Sequence, residues 1–393
     1  MMEEKLYNLL EQSYEEMVEI RRHLHKNPEL SFQEVHTSAY IAEYHESLGN
    51  EVRRNVGGNG VVATMTGGKP GPTVALRADF DALPIQDEKD VEYKSTVKGV
   101  MHACGHDGHT ATLLVLAKAL KHIQAEVNGT VVFIHQHAEE KAPGGALPMI
   151  QDGAIEDVDV IFGTHLWSQD PLGTIQHCSG PFMAASDHFS IHVQGKGGHG
   201  ALPHTTKDAV VIGTQIVSNL QTIVARRVNP LDSAVVSIGS FVAENAYNVI
   251  ADHAKLIGTV RTFNEDVRNQ IERDIEEIAV HTAKAGGAEV DYQYFRGYPA
   301  VVNHQTENEY LARVAQEVPG LTGVHEREPL LAGEDFSHYL NEIKGTFFFT
   351  GRPSVTVEVN YPHHHPNFDF DERAMLHAAK TLGKVTIDYY KEA

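Results

Sequence analysis

The stretch "MHACGHDGHT", from Met101 to Thr110, sets Cys104 and His106 two residues apart, with Asp107 and His109 beside them. The chain holds only one other cysteine, Cys178. A thiolate and an imidazole at this spacing in a glycine-containing loop suit zinc or a similar divalent ion. Three further clusters carry donors of the same kind. "HQHAEE" brings the adjacent Glu139 and Glu140, "GTHLW" brings His165, and "YPHHHPNFD" brings three histidines just before Pro366. Singly, such residues are common on any protein surface. Together they point to a metal site, because each cluster ends an apolar strand or fills a short turn, where the site of an α/β protein forms.

The elements that must position these residues follow from periodicity and punctuation. "SFQEVHTSAYIAEYHESLGN" reads as a helix with Ser31 and Glu34 as a capping box and Gly49 as its stop. "GVVATMTGG", "PTVALRADFDALP", "GTVVFIHQHAEE" and "VDVIFGTHLW" read as strands, and "DGHTATLLVLAKALKHI" as a helix between them. Apolar strands alternating with helices predict an α/β catalytic domain whose central sheet is mainly parallel. From about Ser186 the pattern changes to strand, long helix, two strands, helix, strand. That β-α-β-β-α-β order is ferredoxin-like and predicts an inserted α+β domain. The α/β style returns after "RGYPAVVNH" and closes on a helix from Asp371 to Lys391. The expected organisation is therefore a catalytic domain of residues 1–185 and 297–393, interrupted by a smaller domain at 186–296.

Composition narrows the class. The 393 residues carry 32 basic and 53 acidic side chains, a net charge of −21, which argues against nucleic acid or an anionic membrane as partner. No apolar run reaches the roughly 18 residues of a membrane span, and the acidic, amphipathic start lacks the features of a signal peptide. Two cysteines in such a chain are expected to stay reduced. The expectation is a soluble, cytoplasmic protein.

With these motifs in place, the chain resembles the M20 metallopeptidases, in particular the amidohydrolase branch of N-acyl-amino-acid, hippurate and auxin-conjugate hydrolases. The resemblance rests on "RRHLHKNPELSFQE", "LRADFDALPI", "HACGHDGHTA", "HQHAEE", "GTHLW", "GKGGHGALPH", "NVIADHAKLIGTVRTF", "AGEDFS" and "PHHHPNFDFDE", in family order over nearly the whole chain. It implies metal ligands at Cys104, His106, Glu140, His165 and His364, the last chosen because the family motif is His-x-Pro. It implies two divalent ions, zinc or manganese with cobalt or nickel as alternatives, bridged by the Cys104 thiolate and a water. Glu139 matches the general base. His199, in "GGHG", resembles a histidine that reaches the partner subunit's site, and Asn248 and Arg261 resemble binders of the substrate carboxylate. The insert then resembles a dimerisation, or lid, domain, and a homodimer or higher homo-oligomer is expected. Where other branches have His-x-Asp, this chain has Asp79-x-Asp81, so that ligand pair does not carry over, and Asp81 is expected to orient a ligand histidine.

The implied reaction is hydrolysis of the amide bond of an N-acyl amino acid or short peptide, with Glu139 moving the water's proton to the leaving nitrogen. His199 would stabilise the oxyanion and Arg261 would hold the free carboxylate. Alternatives are a dipeptidase or aminopeptidase, or a non-catalytic metal- or peptide-binding protein on the same fold. His135-x-His137 also matches the metal motif of TIM-barrel amidohydrolases, but the insertion breaks the eight βα units that fold needs. If Cys104 bridges the metals, Cys104→Ala should release much of the bound metal and abolish activity, while Cys178→Ala leaves both nearly intact. Equal losses from the two substitutions, by metal analysis and assay, would contradict the assignment.

Overall fold

The computed structural model describes residues 2–351 and 361–392. The chain divides into two compact units. The first comprises Met1–Gly180, Val302–Glu328 and Asp335–Ala393; the second comprises Pro181–Val301 and Pro329–Glu334.

The first unit is built on an eight-stranded sheet. Its order across the sheet is Glu51–Val56, Gly60–Thr66, Asn128–Gln136, Lys69–Asp79, Val160–Trp167, Gly345–Gly351, Thr174–His177 and Gly323–Glu326. The central four strands run parallel, with Asp79 opposite Gln136 and His165 opposite Phe349. Antiparallel pairs flank them. These central strands are almost continuously buried, as strands covered on both faces must be. Being parallel, their carboxyl ends share one edge of the sheet, and the segments around Asp81, Glu139–Glu140 and His165 all leave from it.

The helix His106–His122 packs in the same core and is buried along most of its length. It starts directly after Gly105, whose φ of 98° is open to glycine and strained for other residues. That turn sets Cys104 just ahead of the helix N-terminus, where the helix dipole favours an anion.

The helix after the Pro-Glu-Leu-Ser-Phe stretch begins later than its sequence suggests, at Val35, and ends at Ser47 with Gly49 at φ 71°. The expected capping box does not form. Ser31 Oγ donates instead to Asp81 Oδ2 at 2.7 Å, and the free N–H groups of His36 and Thr37 go to the Glu29 carboxylate at 3.1 and 2.7 Å. With the helix starting at Val35, Ser31 lies too far ahead of it to act as its N-cap. The closing helix likewise begins at Arg373, where Asp371 accepts the Arg373 N–H at 3.0 Å.

The second unit has four antiparallel strands in the order Ala234–Val242, His253–Thr262, Ala185–Gln194 and Glu289–Phe295. The helices Ala209–Thr222 and Glu265–Ala285 pack on one face, capped by Asp208 and Asn264. The chain-order sequence of strands across the sheet is the ferredoxin-like one. Among the described residues no helix is long and apolar enough to cross a membrane.

A buried polar chain supports the strand that leads to Glu139. Thr110 Oγ donates to the Asp79 carbonyl at 2.9 Å, so it accepts from His135 Nδ1 at 3.2 Å. His135 Nε2 then accepts from His45 Nε2 at 3.0 Å, and His45 Nδ1 accepts from Asn50 Nδ2 at 3.1 Å. Every link requires neutral imidazoles, and burial pushes His45 down to about 3 and His135 well below its usual value. Both His135 nitrogens are thus engaged, which removes the TIM-barrel-like metal role of His135-x-His137. Below about pH 6.5 the unfolded chain takes up protons that the folded one refuses, so folding stability falls with pH by up to about 1.4 kcal/mol per pH unit for each such histidine. In metal-free protein, His45→Gln should flatten the fall of the urea midpoint between pH 6.5 and 5. An unchanged slope would contradict the neutral chain.

Candidate metal centre

Two donor sets meet at one sulfur. The ligand atoms of Cys104, His106 and His165 lie within 4.8 Å of one another, and so do those of Cys104, Glu140 and His364. All five residues implied by the resemblance are therefore brought together in the first unit, with Cys104 common to both sets. Cys104, His106 and His165 are buried, Glu140 partly so.

His106 and His165 each have one ring nitrogen fixed by the protein and the other turned toward the cluster. His106 Nδ1 bonds Asp81 Oδ1 at 3.0 Å, while its buried Nε2 has no hydrogen-bond partner among the described residues. That Nε2 lies 3.8 Å from Asp79, 4.0 Å from Glu139 and 3.9 Å from Glu140. His165 Nδ1 donates to the Leu166 carbonyl at 3.0 Å, leaving Nε2 3.4 Å from Cys104 Sγ. His364 Nε2 sits 3.2 Å from Glu140 Oε1, and its backbone N–H donates to the Ala103 carbonyl at 2.8 Å. In His106 and His165 this division of labour is that of metal-ligating histidines, oriented through the second nitrogen.

The electrostatics call for a cation. Burial alone would lower His106, but Asp79 and Asp81 overcome it and hold the imidazole up at about 10. Burial, reinforced by Glu140, Glu139 and Asp79, pushes the Cys104 thiol well up. The hydrogen bond to Glu140 raises His364. The raised His106 and His364 mark the negative charge of the carboxylates beside them, whereas the thiol keeps its proton chiefly through burial. The soft sulfur, the imidazoles and the carboxylate suit zinc, and the nitrogen–oxygen part of the set also suits manganese.

The neighbours of the cluster separate ligands from supports. His109, next to the Cys-x-His pair, donates through Nδ1 to Asp79 at 2.6 Å and accepts from the Leu166 N–H at 2.9 Å, so both nitrogens are used. Asp107 pairs with Arg21 at 2.8 Å and His25 at 2.7 Å. In the triplet, His363 bonds the Leu166 carbonyl at 3.1 Å and Ser168 at 3.3 Å, and His365 Nδ1 accepts from Asn367 N–H at 3.0 Å. Asp81, expected as an orienting residue, bonds His106 and also accepts from the Glu140 N–H at 3.0 Å.

Sequence reading assigned no role to Asp335 of "AGEDFS". Buried, it accepts from Arg77 at 2.8 Å, Gln136 at 2.7 Å and the N–H groups of Gly145 and Ala146 at 3.1 Å. It thereby ties the end of the strand bearing Glu139 to the loop that follows. The only sequence signal was an acidic residue inside an otherwise unexplained motif.

His199, Asn248 and Arg261 all lie in the second unit. His199 and Val249 pair in a two-stranded ribbon, and Gly200 N–H donates to the Asn248 carbonyl at 2.7 Å. A Cβ on Gly200 would meet that carbonyl at 2.9 Å, so the close approach needs glycine. His199 is exposed, and its Nδ1 accepts from the Ala201 N–H at 3.0 Å, which places the hydrogen of the neutral ring on Nε2. Arg261 bonds neutral oxygens, those of Val260 at 2.9 Å and of the Asp187 backbone at 3.4 Å. The Asp187 carboxylate is occupied by Arg268, Tyr294 and the Gly297 N–H.

Comparison with known proteins identifies the family. Residues 75–388 match the family model described as Peptidase family M20/M25/M40. The chain is 58% identical over 390 residues to the Bacillus subtilis protein YhaA, covering 99% of this chain and 98% of that one. It is 45% identical over 304 residues to the N-acyl-L-amino acid amidohydrolase of Geobacillus stearothermophilus, covering 77% and 82%. Among solved structures, a dinuclear metal binding peptidase of the M20 family from Bacillus subtilis superimposes with a TM-score of 0.85 at 34% identity, covering 98% of this chain and 99% of that one. The chain belongs to peptidase family M20/M25/M40. It is a metallohydrolase acting on carbon–nitrogen bonds.

If the triplet contributes through its middle residue, His364→Ala should weaken metal binding by at least about 10–100-fold, the loss that even an outer partner of a ligand can cause. His365→Ala should bind metal normally. Metal analysis after dialysis distinguishes them, and the reverse pattern would move the ligand one residue along.

Proposed function

We propose that the protein hydrolyses the amide bond of N-acyl amino acids, using two divalent ions held by the Cys104–His106–His165 and Cys104–Glu140–His364 sets. The observation that carries this reading is the single buried sulfur common to two three-residue donor sets. The N-acyl-L-amino acid amidohydrolase and the dinuclear M20 peptidase among the relatives support it. The ions, when bound, supply Lewis acidity that polarises the carbonyl and acidifies the attacking water.

The chain's own residues do the rest. Glu139 takes the water's proton and passes it to the leaving nitrogen. Its neighbour Glu140 is spent as a ligand, which separates two residues that look equivalent in the sequence. His199, a donor through Nε2, stabilises the oxyanion in the site of a partner subunit. Arg261, bonded within its own unit only to neutral oxygens in the contacts above, grips the substrate's free carboxylate with a planar, always-charged group. Asn248, directly before the strand that pairs with His199, adds a hydrogen bond to that carboxylate. The working form is a homodimer paired through the second unit.

Glu139→Gln should keep its metal and lose rate by about 10²–10⁴, the usual general acid–base contribution. Glu140→Gln should lose metal affinity, with excess metal restoring part of the rate. The opposite pattern would exchange the two roles. Mixing inactive His199→Ala with inactive Glu139→Gln subunits should restore part of the activity, because one hybrid site keeps both groups; no recovery after confirmed subunit exchange would remove His199 from the partner's site. A panel of N-acetyl and N-benzoyl amino acids against dipeptides identifies the substrate class, and preference for dipeptides would make the protein a peptidase.

A further inference from the structure

The two glutamates follow one another directly, so the backbone before them decides which faces which way. That backbone is unusual. Ala138 has φ 52°, a left-handed conformation that a residue with a Cβ seldom adopts. Two buried carboxylates clasp the segment on either side of Glu139. Glu34 Oε1 accepts the Ala138 N–H at 2.9 Å, and Asp81 Oδ2 accepts the Glu140 N–H at 3.0 Å.

Both carboxylates are tied to one short stretch of chain. Asp81 Oδ2 also accepts from Ser31 Oγ at 2.7 Å, and Glu34 lies three residues further on. Glu34 is completely buried, and its second oxygen accepts from Asn59 Nδ2 at 2.9 Å. Between them Phe32 is itself left-handed, with φ 68°. The segment Ser31–Glu34 is thus bent in a costly way that presents its hydroxyl and its carboxylate at the loop bearing Glu139. Burial raises Glu34 to about 7, and in either protonation state a carboxyl oxygen can accept the Ala138 N–H and hold an otherwise unfavourable backbone.

We propose that Glu34 is a positioning residue for the reaction: through the Ala138 N–H it fixes the left-handed turn that aims Glu139 at the water, while Asp81 fixes Glu140 as ligand. The proposal rests on the assignment of Glu139 as general base. It separates Glu34 from the metal set, since none of the five donors bonds it in this geometry, and predicts a defect in turnover without a defect in metal binding.

The test uses the metal-loaded full-length enzyme. Glu34→Leu leaves the Ala138 N–H unpaired, whereas Glu34→Gln keeps an amide oxygen for it and Asn59 can flip to suit the new amide. Glu34→Leu should retain full metal content and its KM, and lose about tenfold or more in kcat, a share of the roughly 10²–10⁴ that a general base contributes. Glu34→Gln should recover most of that loss. In a Glu139→Gln background, Glu34→Leu should cause no further fall in kcat, because the group it positions is already gone. If the leucine variant does not fold, Glu34→Asp, whose shorter side chain draws back from Ala138, carries the same comparison. A full additive loss in the Glu139→Gln background, loss of metal in step with rate, or wild-type kcat in Glu34→Leu would each overturn the proposal. A normal kcat for Glu139→Gln alone would show instead that the base is assigned wrongly, and what is said to position it would fall with it.

Discussion

The structure depends on holding one sulfur where two sets of potential metal donors meet. Cys104 sits at the mouth of a buried helix, turned there by Gly105 and followed at once by His106. Anions near a helix N-terminus are favoured by its dipole, yet here burial, reinforced by the surrounding carboxylates, keeps the thiol protonated. A bound cation would resolve that conflict. The protein stores an electrostatic demand in its core, and metal binding, coupled to release of the retained protons, meets it.

The rest of the catalytic unit answers to that demand. Parallel strands deliver Asp79, Glu139 and His165 to one edge of the sheet. Carboxylates then work as a scaffold rather than as ligands: Asp79 fixes His109, Asp81 fixes His106 and the Glu140 backbone, and Asp335 fixes Gln136 and the Gly145–Ala146 backbone. Arg77 joins Asp79 to Asp335 and offsets part of their charge. Burying so many ionised groups is tolerable because each finds several partners, and breaking one contact would leave a charge stranded.

The donor residues were legible because their chemistry is scarce: one of two cysteines between histidines, and histidines at strand ends. The register within the His triplet came from the His-x-Pro motif, and among the described residues it is His364 whose ligand atom lies with those of Cys104 and Glu140. The strand and helix runs were legible from periodicity. The supports were not. Ser31 and Glu34 formed a plausible capping box, and nothing local could show that each was needed by a partner at least 25 residues away, Asp81 by the first and Asn59 and Ala138 by the second. The return of Pro329–Glu334 to the second unit likewise leaves no periodic signal. Short-range patterns encode elements, whereas long-range hydrogen bonds between buried polar groups are set only by the fold.

The shared sulfur can be observed directly by X-ray absorption at the zinc edge. The protein would be loaded with two zinc ions per chain in a Cys178→Ala background, so that Cys104 is the only thiol. A thiolate serving both ions gives an average of one sulfur per zinc, at about 2.3 Å. An average of half a sulfur per zinc would make Cys104 a terminal ligand of one ion, and no sulfur at all would remove it from the site; either result contradicts the account.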